Sequence, residues 1–182
     1  MLDSTFGGQG LELEDVLMSI RQQEIFDPIK MEERFWQMFV VDAYLGNFDR
    51  NNSNWGLLVD KEKQVSLAPV YDCGGCLYPQ LNDESMANIL RDEKEIENRV
   101  FVFPNSIYKQ QNKKINYKEF LTTSIDSVCR ETLKIITANI DEEKVNSFID
   151  SIEGISEIRK DFYKTMLHYR KEWILDAALK GE

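Results

Sequence analysis

The sequence is poor in the residues that carry most nucleophilic and metal chemistry: one histidine, three cysteines and four prolines in 182 residues. An odd number of cysteines does not build the disulfide framework of a secreted domain, so reduced thiols are expected. Cys73-Gly74-Gly75-Cys76 has the spacing of half a zinc site or of a redox pair, but the second pair that a structural zinc needs is missing. The plainer reading is a tight loop, with glycines supplying backbone freedom. His168 lies far in sequence from any polar motif and beside an apolar stripe, so a catalytic role is not expected of it. No run of eighteen apolar residues occurs and the first residues do not read as a basic, apolar, small-residue leader. Neither a membrane span nor a signal peptide is therefore expected, and a cytoplasmic setting is. The net charge is −10, and no Lys/Arg cluster is free of interleaved acids. Nucleic acid, whose phosphates require a basic face, is accordingly not an expected partner.

What is present is enough for one core: 42% of the residues are hydrophobic, and a single domain over 1–182 is the expectation. Gly7-Gly8-Gln9-Gly10 opens the chain and reads as a flexible hinge over 1–10 rather than a phosphate loop, because it leads into a helical pattern at Leu11–Gln23 and not between two strands. Asp27-Pro28 begins a second helix, with a capping aspartate and proline at the first helical position. Met31, Phe35, Met38, Phe39, Asp42 and Leu45 recur on its inward side, and Gly46 is the expected stop. Asp42 on that stripe is either a buried carboxylate bonded to the catalytic loop or an edge residue in water, and the loop-bracing role is favoured. Further on, 83–99 is charged and helix-compatible, Val100–Phe103 is an apolar run that reads as a buried strand or extended segment ended by Pro104, and 109–118 reads as a loop. Asn116 with Glu119 resembles a capping box. Helices are expected over 129–139, from Asp141 to Ile152 and from about Ser156 to Leu179, the last with an inward stripe of Phe162, Met166, Tyr169, Trp173 and Ala177.

The chemistry concentrates in Gly46-Asn47-Phe48-Asp49-Arg50-Asn51-Asn52-Ser53-Asn54 and in Ala68-Pro69-Val70-Tyr71-Asp72. Asn54 stands five positions after Asp49, the spacing of the Asp and Asn in a kinase catalytic loop. An ATP-dependent phosphoryl transferase needs a carboxylate to orient the acceptor hydroxyl and hard oxygen ligands to hold Mg²⁺ across the phosphates. Asp49 can supply the first, Asn54 and Asp72 the second. Trp55–Val59 and Val65–Ala68 are short apolar runs around a polar turn at 60–64, so a β-hairpin is expected to return the chain and set Asn54 and Asp72 at one edge.

The run from Phe39 to Asn54, with Leu67–Asp72, resembles the C-terminal lobe of HipA/CtkA-type serine/threonine kinases, whose pattern is an apolar helix, Gly-Asn-x-Asp-Arg-His-x-x-Asn, a hairpin and Ala-Pro-x-Tyr-Asp. The resemblance implies a mainly α (α+β), kinase-like C-lobe: a helical bundle with a small hairpin beside the catalytic loop. It implies Asp49 as catalytic aspartate, Asn54 and Asp72 as Mg²⁺ ligands, Asp42, Asn47 and Arg50 as support for the loop, and ATP and a protein as substrates. An antitoxin-like partner is implied as well, because family members include toxins of toxin–antitoxin pairs. Two departures stand out. Asn51 replaces the usual histidine, so an amide must make that residue's hydrogen bonds. No glycine-rich strand pair or lysine-bearing strand of a small lobe is found, so the chain reads as a C-lobe alone, expected to be inactive by itself. A pseudokinase or interaction module, and a lipid or small-molecule kinase, are the alternatives; the absence of a basic patch counts against lipid.

Overall fold

The computed structural model describes residues 11–181; the glycine-rich opening at residues 7–10 lies outside the described residues. Helix α1 spans Leu13–Gln22, and α2 spans Pro28–Leu45. A β-hairpin comes next, β1 (Leu57–Val59) pairing antiparallel with β2 (Val65–Leu67), Leu57 opposite Leu67. Then come α3 (Asp83–Leu90) and α4 (Glu93–Glu97), which runs directly into a π-helical turn at Asn98–Val102. A minimal ladder joins β3 (Lys109–Gln110) to β4 (Lys113–Lys114). The C-terminal part is α5 (Tyr117–Thr123), α6 (Ser127–Asn139), α7 (Glu142–Asp150) and α8 (Glu157–Arg170), continued without a break by a π-helical stretch at Lys171–Asp176 and by α9 (Ala177–Lys180). Among the described residues no helix is long and apolar enough to cross a membrane.

Helix α2 is the axis of the bundle, and its ends are set by local chemistry. The Asp27 carboxylate accepts from the N–H groups of Ile29 (3.0 Å) and Lys30 (3.4 Å), and Pro28 takes the first position, where a missing N–H costs nothing. At the other end Gly46 turns left-handed (φ 66°, ψ 41°), and its N–H and that of Asn47 both return to the Asp42 carbonyl. Between the ends the buried surface is wider than the expected stripe. Phe35, Met38, Phe39 and Asp42 are buried as expected, Met31 and Leu45 are half-buried, and Trp36, Val40 and Ala43 are buried too. Burial around so much of the circumference is due to its neighbours, since α1, α6, α8 and the π-helical stretch at 171–176 all pack on α2. The edge-to-face contacts of Phe39 with Tyr117 (5.3 Å) and Phe120 (5.2 Å) carry α5 onto the same helix.

Three expectations change in the structure. Val100–Val102 is helical, not extended: nothing breaks the chain after α4, so it winds on as a π turn and becomes extended only at Phe103, where the adjoining Pro104 disfavours the helical region. In the polar segment 109–118 the left-handed residues Gln111 and Asn112 (φ 54° and 63°) make the two-residue turn that closes the β3–β4 ladder, and α5 begins at Tyr117 with Asn116 as its cap. In the last helix Phe162, Met166 and Ala177 are buried, but Tyr169 and Trp173 are only half-buried, while Arg170, Ile174, Leu175 and Ala178 point inward. The wider π turn at 171–176 rotates the inward face away from the ideal helical period.

Gly46 is tied to this packing as well as to its own φ. A Cβ there would stand 3.2 Å from Pro104 Cγ and 3.4 Å from Arg170 Nε. Gly46→Ala is expected to cost about 1–2 kcal/mol from the left-handed conformation alone, read as a lowered urea midpoint with unchanged slope.

Candidate active site

The chain leaves α2 through Gly46 into the loop 47–54, and one buried carboxylate organises that loop. Asp42 is 1% exposed. It accepts from Asn47 Nδ2 (2.8 Å) and, in a two-pronged contact, from Arg50 Nε (2.9 Å) and Nη2 (3.1 Å). Burial pushes the Asp42 carboxyl up from its ordinary range, and the three donors oppose that push. Burial also acts against the Arg50 cation, but bonding to Asp42 more than offsets it and the guanidinium is held above its usual range. The side chain of Asn47 is used at both ends, since its Oδ1 also accepts the N–H of Asp49 (3.1 Å). Its carbonyl accepts from the Tyr117 hydroxyl at 2.7 Å.

The outer face of Arg50 carries the connection to the second half of the site. Nη1 donates to the carbonyls of Asn54 (3.2 Å), Tyr71 and Asp72 (3.3 Å), and Nη2 reaches Cys73 Sγ at 3.5 Å. One nitrogen therefore bonds the backbone of both residues expected to hold a metal. The hairpin β1–β2 makes this possible by returning the chain antiparallel to β1, back toward the loop. Tyr71 adds a strut, its hydroxyl donating to the Ser53 carbonyl at 2.8 Å. Asn54 is buried; its Nδ2 donates to the Asp49 carbonyl at 2.7 Å, and its Oδ1 accepts from Ser53 Oγ at 3.2 Å. Asn51 accepts from the N–H of Ser53 (2.9 Å) and from its hydroxyl, so the amide in the histidine's place closes a local turn.

Asp49 and Asp72, held by buried neighbours, are themselves exposed. Asp72 is left-handed (φ 56°), which turns the chain sharply into Cys73–Cys76. Gly75 then passes so close to the loop that a Cβ on it would lie 2.7 Å from Asn47 Oδ1 and 3.1 Å from Asp49 Cβ. Its glycine is required by space, a function that composition near Asp72 did not disclose. Among the described residues no group of three or more His, Cys, Asp or Glu side chains is placed to hold a metal ion. The donors that the loop offers are of another kind, one amide oxygen and one exposed carboxylate, hard ligands that suit Mg²⁺ when phosphate oxygens complete its shell. A hollow of about 450 Å³, lined by Leu17, Trp36, Lys109, Phe120 and Ile125 among others, does not include these residues. Asp49 and Asp72 stand on exposed surface.

Sequence reasoning missed Tyr117 and Gly75, and also Arg170. That side chain is fully buried and donates to the carbonyls of Ala43 (2.8 Å), Arg99 (3.2 Å) and Val100 (3.3 Å), fastening the end of α2 from the far side. The aromatic and basic residues of α5 and α8 carry no signal of such contacts, which span 70 to 127 positions.

A mainly helical bundle with a short hairpin beside an Asp-x-x-x-x-Asn loop is the architecture of a protein-kinase-like C-terminal lobe. The comparisons agree with it. The chain is 43% identical over 180 residues to the serine/threonine-protein kinase CtkA of Helicobacter pylori, the alignment taking in 98% of this chain and 55% of the relative. The crystal structure of a H. pylori proinflammatory kinase CtkA matches with a TM-score of 0.92 and 43% identity, over 96% of this chain and 64% of that one. No family model matches. The chain spans about half the length of the curated relative, and its likeness to HipA/CtkA-type kinases, first visible in residues 39–72, extends over nearly its whole length.

The Asp42–Arg50 contact should dominate the stability of the site. Asp42→Ala would leave Arg50 buried and unpaired and is expected to cost about 3–5 kcal/mol, whereas exposed Asp49→Ala should stay within about 0.5 kcal/mol of wild type. Urea unfolding of the two variants side by side checks the contrast.

Proposed function

We propose that this chain is the catalytic C-terminal lobe of a HipA/CtkA-like, ATP-dependent serine/threonine protein kinase, a single lobe over residues 1–182. The observation that carries the proposal is the grip of Arg50 on the carbonyls of Asn54, Tyr71 and Asp72, which couples the loop bearing Asp49 to the segment bearing Asp72. In this reading Asp49, exposed at the tip of a braced loop, orients the acceptor hydroxyl of a protein substrate and accepts its proton. Asn54 Oδ1 and the Asp72 carboxylate would hold Mg²⁺, which would there neutralise phosphate charge. What supports this role for Asn54 is that its Nδ2 is already committed to the Asp49 carbonyl, while its oxygen, which accepts from Ser53 Oγ, keeps a second lone pair for a ligand. Asp42, Asn47 and Arg50 keep these groups in register and touch no substrate. The relative named as a serine/threonine-protein kinase supports the acceptor class. The open surface over Asp49 and Asp72 supports a division of labour in which the adenine pocket and phosphate clamp come from the part of such a kinase that this chain does not match.

In the native protein, Asp49→Ala and Asp72→Ala are each expected to lower phosphoryl transfer by about 10²–10⁴-fold with the thermal melt unchanged, Asp72→Ala also weakening Mg²⁺-dependent nucleotide binding. Autophosphorylation that survives either change at wild-type rate would overturn the assignment. The 182-residue chain by itself should melt cooperatively yet bind ATP weakly and show little turnover. Calorimetric titration with ATP and Mg²⁺ decides this, because micromolar binding with turnover would place the whole nucleotide site within these residues.

A further inference from the structure

The C-x-x-C at 73–76 has no part in the phosphoryl-transfer reading, yet it adjoins the Asp72 carboxylate. Its backbone is already folded as a bridge would need it. The Cys76 N–H donates to the Cys73 carbonyl at 3.1 Å, closing a four-residue turn over Gly74 and Gly75. Such a turn brings its first and last Cα atoms within about 7 Å, and bridged cysteines have theirs at about 4.4–6.8 Å. Both thiols are free, Cys73 exposed and Cys76 half-buried, while Cys129, the third cysteine, is buried in α6. The turn has little freedom to drift from the loop, because Gly75 is packed against Asn47 and Asp49.

We propose that Cys73 and Cys76 form a redox modification site, which hydrogen peroxide closes into a reversible intrachain disulfide and which thereby disables the neighbouring Asp72. The Cys73 sulfur attacks a peroxide oxygen, the O–O bond breaks, and one water leaves with Cys73 as its sulfenic acid. The Cys76 sulfur then attacks the Cys73 sulfur; the S–O bond breaks, the hydroxyl departs with the Cys76 proton as a second water, and the S–S bond is formed. Two thiols have lost two protons and two electrons, and the peroxide has become two waters. An exogenous dithiol reverses the step by exchange.

The consequence for the site runs through Arg50. In the dithiol form Cys73 Sγ accepts from Arg50 Nη2 at 3.5 Å, while Nη1 of the same guanidinium holds the carbonyls of Tyr71 and Asp72. Bridging to Cys76 draws the Cys73 sulfur toward the turn and away from that nitrogen. Asp72 directly precedes Cys73 and is already left-handed at φ 56°, so a rotation about Cys73 is passed to its carboxylate. This part of the inference rests on the kinase reading; the disulfide itself does not.

The test uses the chain treated with hydrogen peroxide, alkylated, digested and analysed by mass spectrometry, with and without later dithiothreitol. A peptide linking Cys73 to Cys76, lighter by two hydrogens and restored by dithiothreitol, is expected, with Cys129 alkylated as a free thiol. In Cys76→Ser, dimedone should trap a sulfenic acid at Cys73. Two alkylatable thiols after peroxide, or a bridge to Cys129 or to a second chain, would overturn the proposal. In the native protein, peroxide should lower phosphoryl transfer by about tenfold or more, the scale of one lost hydrogen bond to a charged group, reversibly, and Cys76→Ser should lose that reversible response. Formation of the bridge with activity unchanged would overturn the regulatory half. A reduced native protein without any activity would instead count against the kinase reading, leaving the peptide map to decide the disulfide.

Discussion

Everything at the candidate site depends on a buried charge pair that would be unfavourable in isolation. Removing a carboxylate and a guanidinium from water costs several kcal/mol per ion, and attraction between them repays it only when the geometry is good and the remaining donors are satisfied. Asp42 and Arg50 meet that condition by enlisting their surroundings. The carboxylate takes Asn47 Nδ2 as a third donor, and the guanidinium spends its Nη1 on the carbonyls of Asn54, Tyr71 and Asp72. The pair is satisfied only when helix, loop and post-hairpin segment are assembled together. Its worth is therefore one of specificity: a misplaced loop or a slipped hairpin register leaves a buried cation short of acceptors.

The second buried cation works on the same helix end by a different rule. Arg170 meets main-chain carbonyls at the end of α2 and in the π turn after α4. The last carbonyls of a helix lack intrahelical donors and carry the negative end of its dipole, so a guanidinium is a fitting cap. Arg50 thus restrains the loop from one side, and Arg170 restrains the helix that delivers it from the other. Tyr117 closes the arrangement by donating to the Asn47 carbonyl. Exposed acids at the tip of such a loop can be held in place without being buried themselves.

How much of this the sequence discloses depends on the range of the interactions. The limits of α2 were legible because Asp27, Pro28 and Gly46 act on backbone groups one to four positions away. The β1–β2 hairpin was legible from two apolar runs about a polar turn, and Asp42 stood out as an acid on an inward stripe. Arg170 was not legible, because nothing near it in the chain marks its burial, and Gly75 read as a source of freedom when its function is to occupy no space beside Asn47. The π turns were hidden for a similar reason. The apolar run at Val100–Phe103 has β-like composition, yet Val100–Val102 is helical because α4 feeds into it and the core accepts Val100 from that direction.

A rigid inner frame with an open, acidic outer surface has a thermodynamic consequence. Loops whose backbone groups bond to buried side chains have few alternative conformations, so a ligand that needs Asn54 and Asp72 together has little loop-ordering entropy to overcome. In the kinase reading, the exposed carboxylates of Asp49 and Asp72 repel a phosphate-bearing ligand unless a cation intervenes, and such a ligand would depend on Mg²⁺. Arg50, which bonds the Asp72 carbonyl, cannot substitute, since its donors are turned toward Asp42 and the carbonyls. Selectivity for a metal-bound phosphate over a free one would then arise from how the fold has already committed its own positive charge.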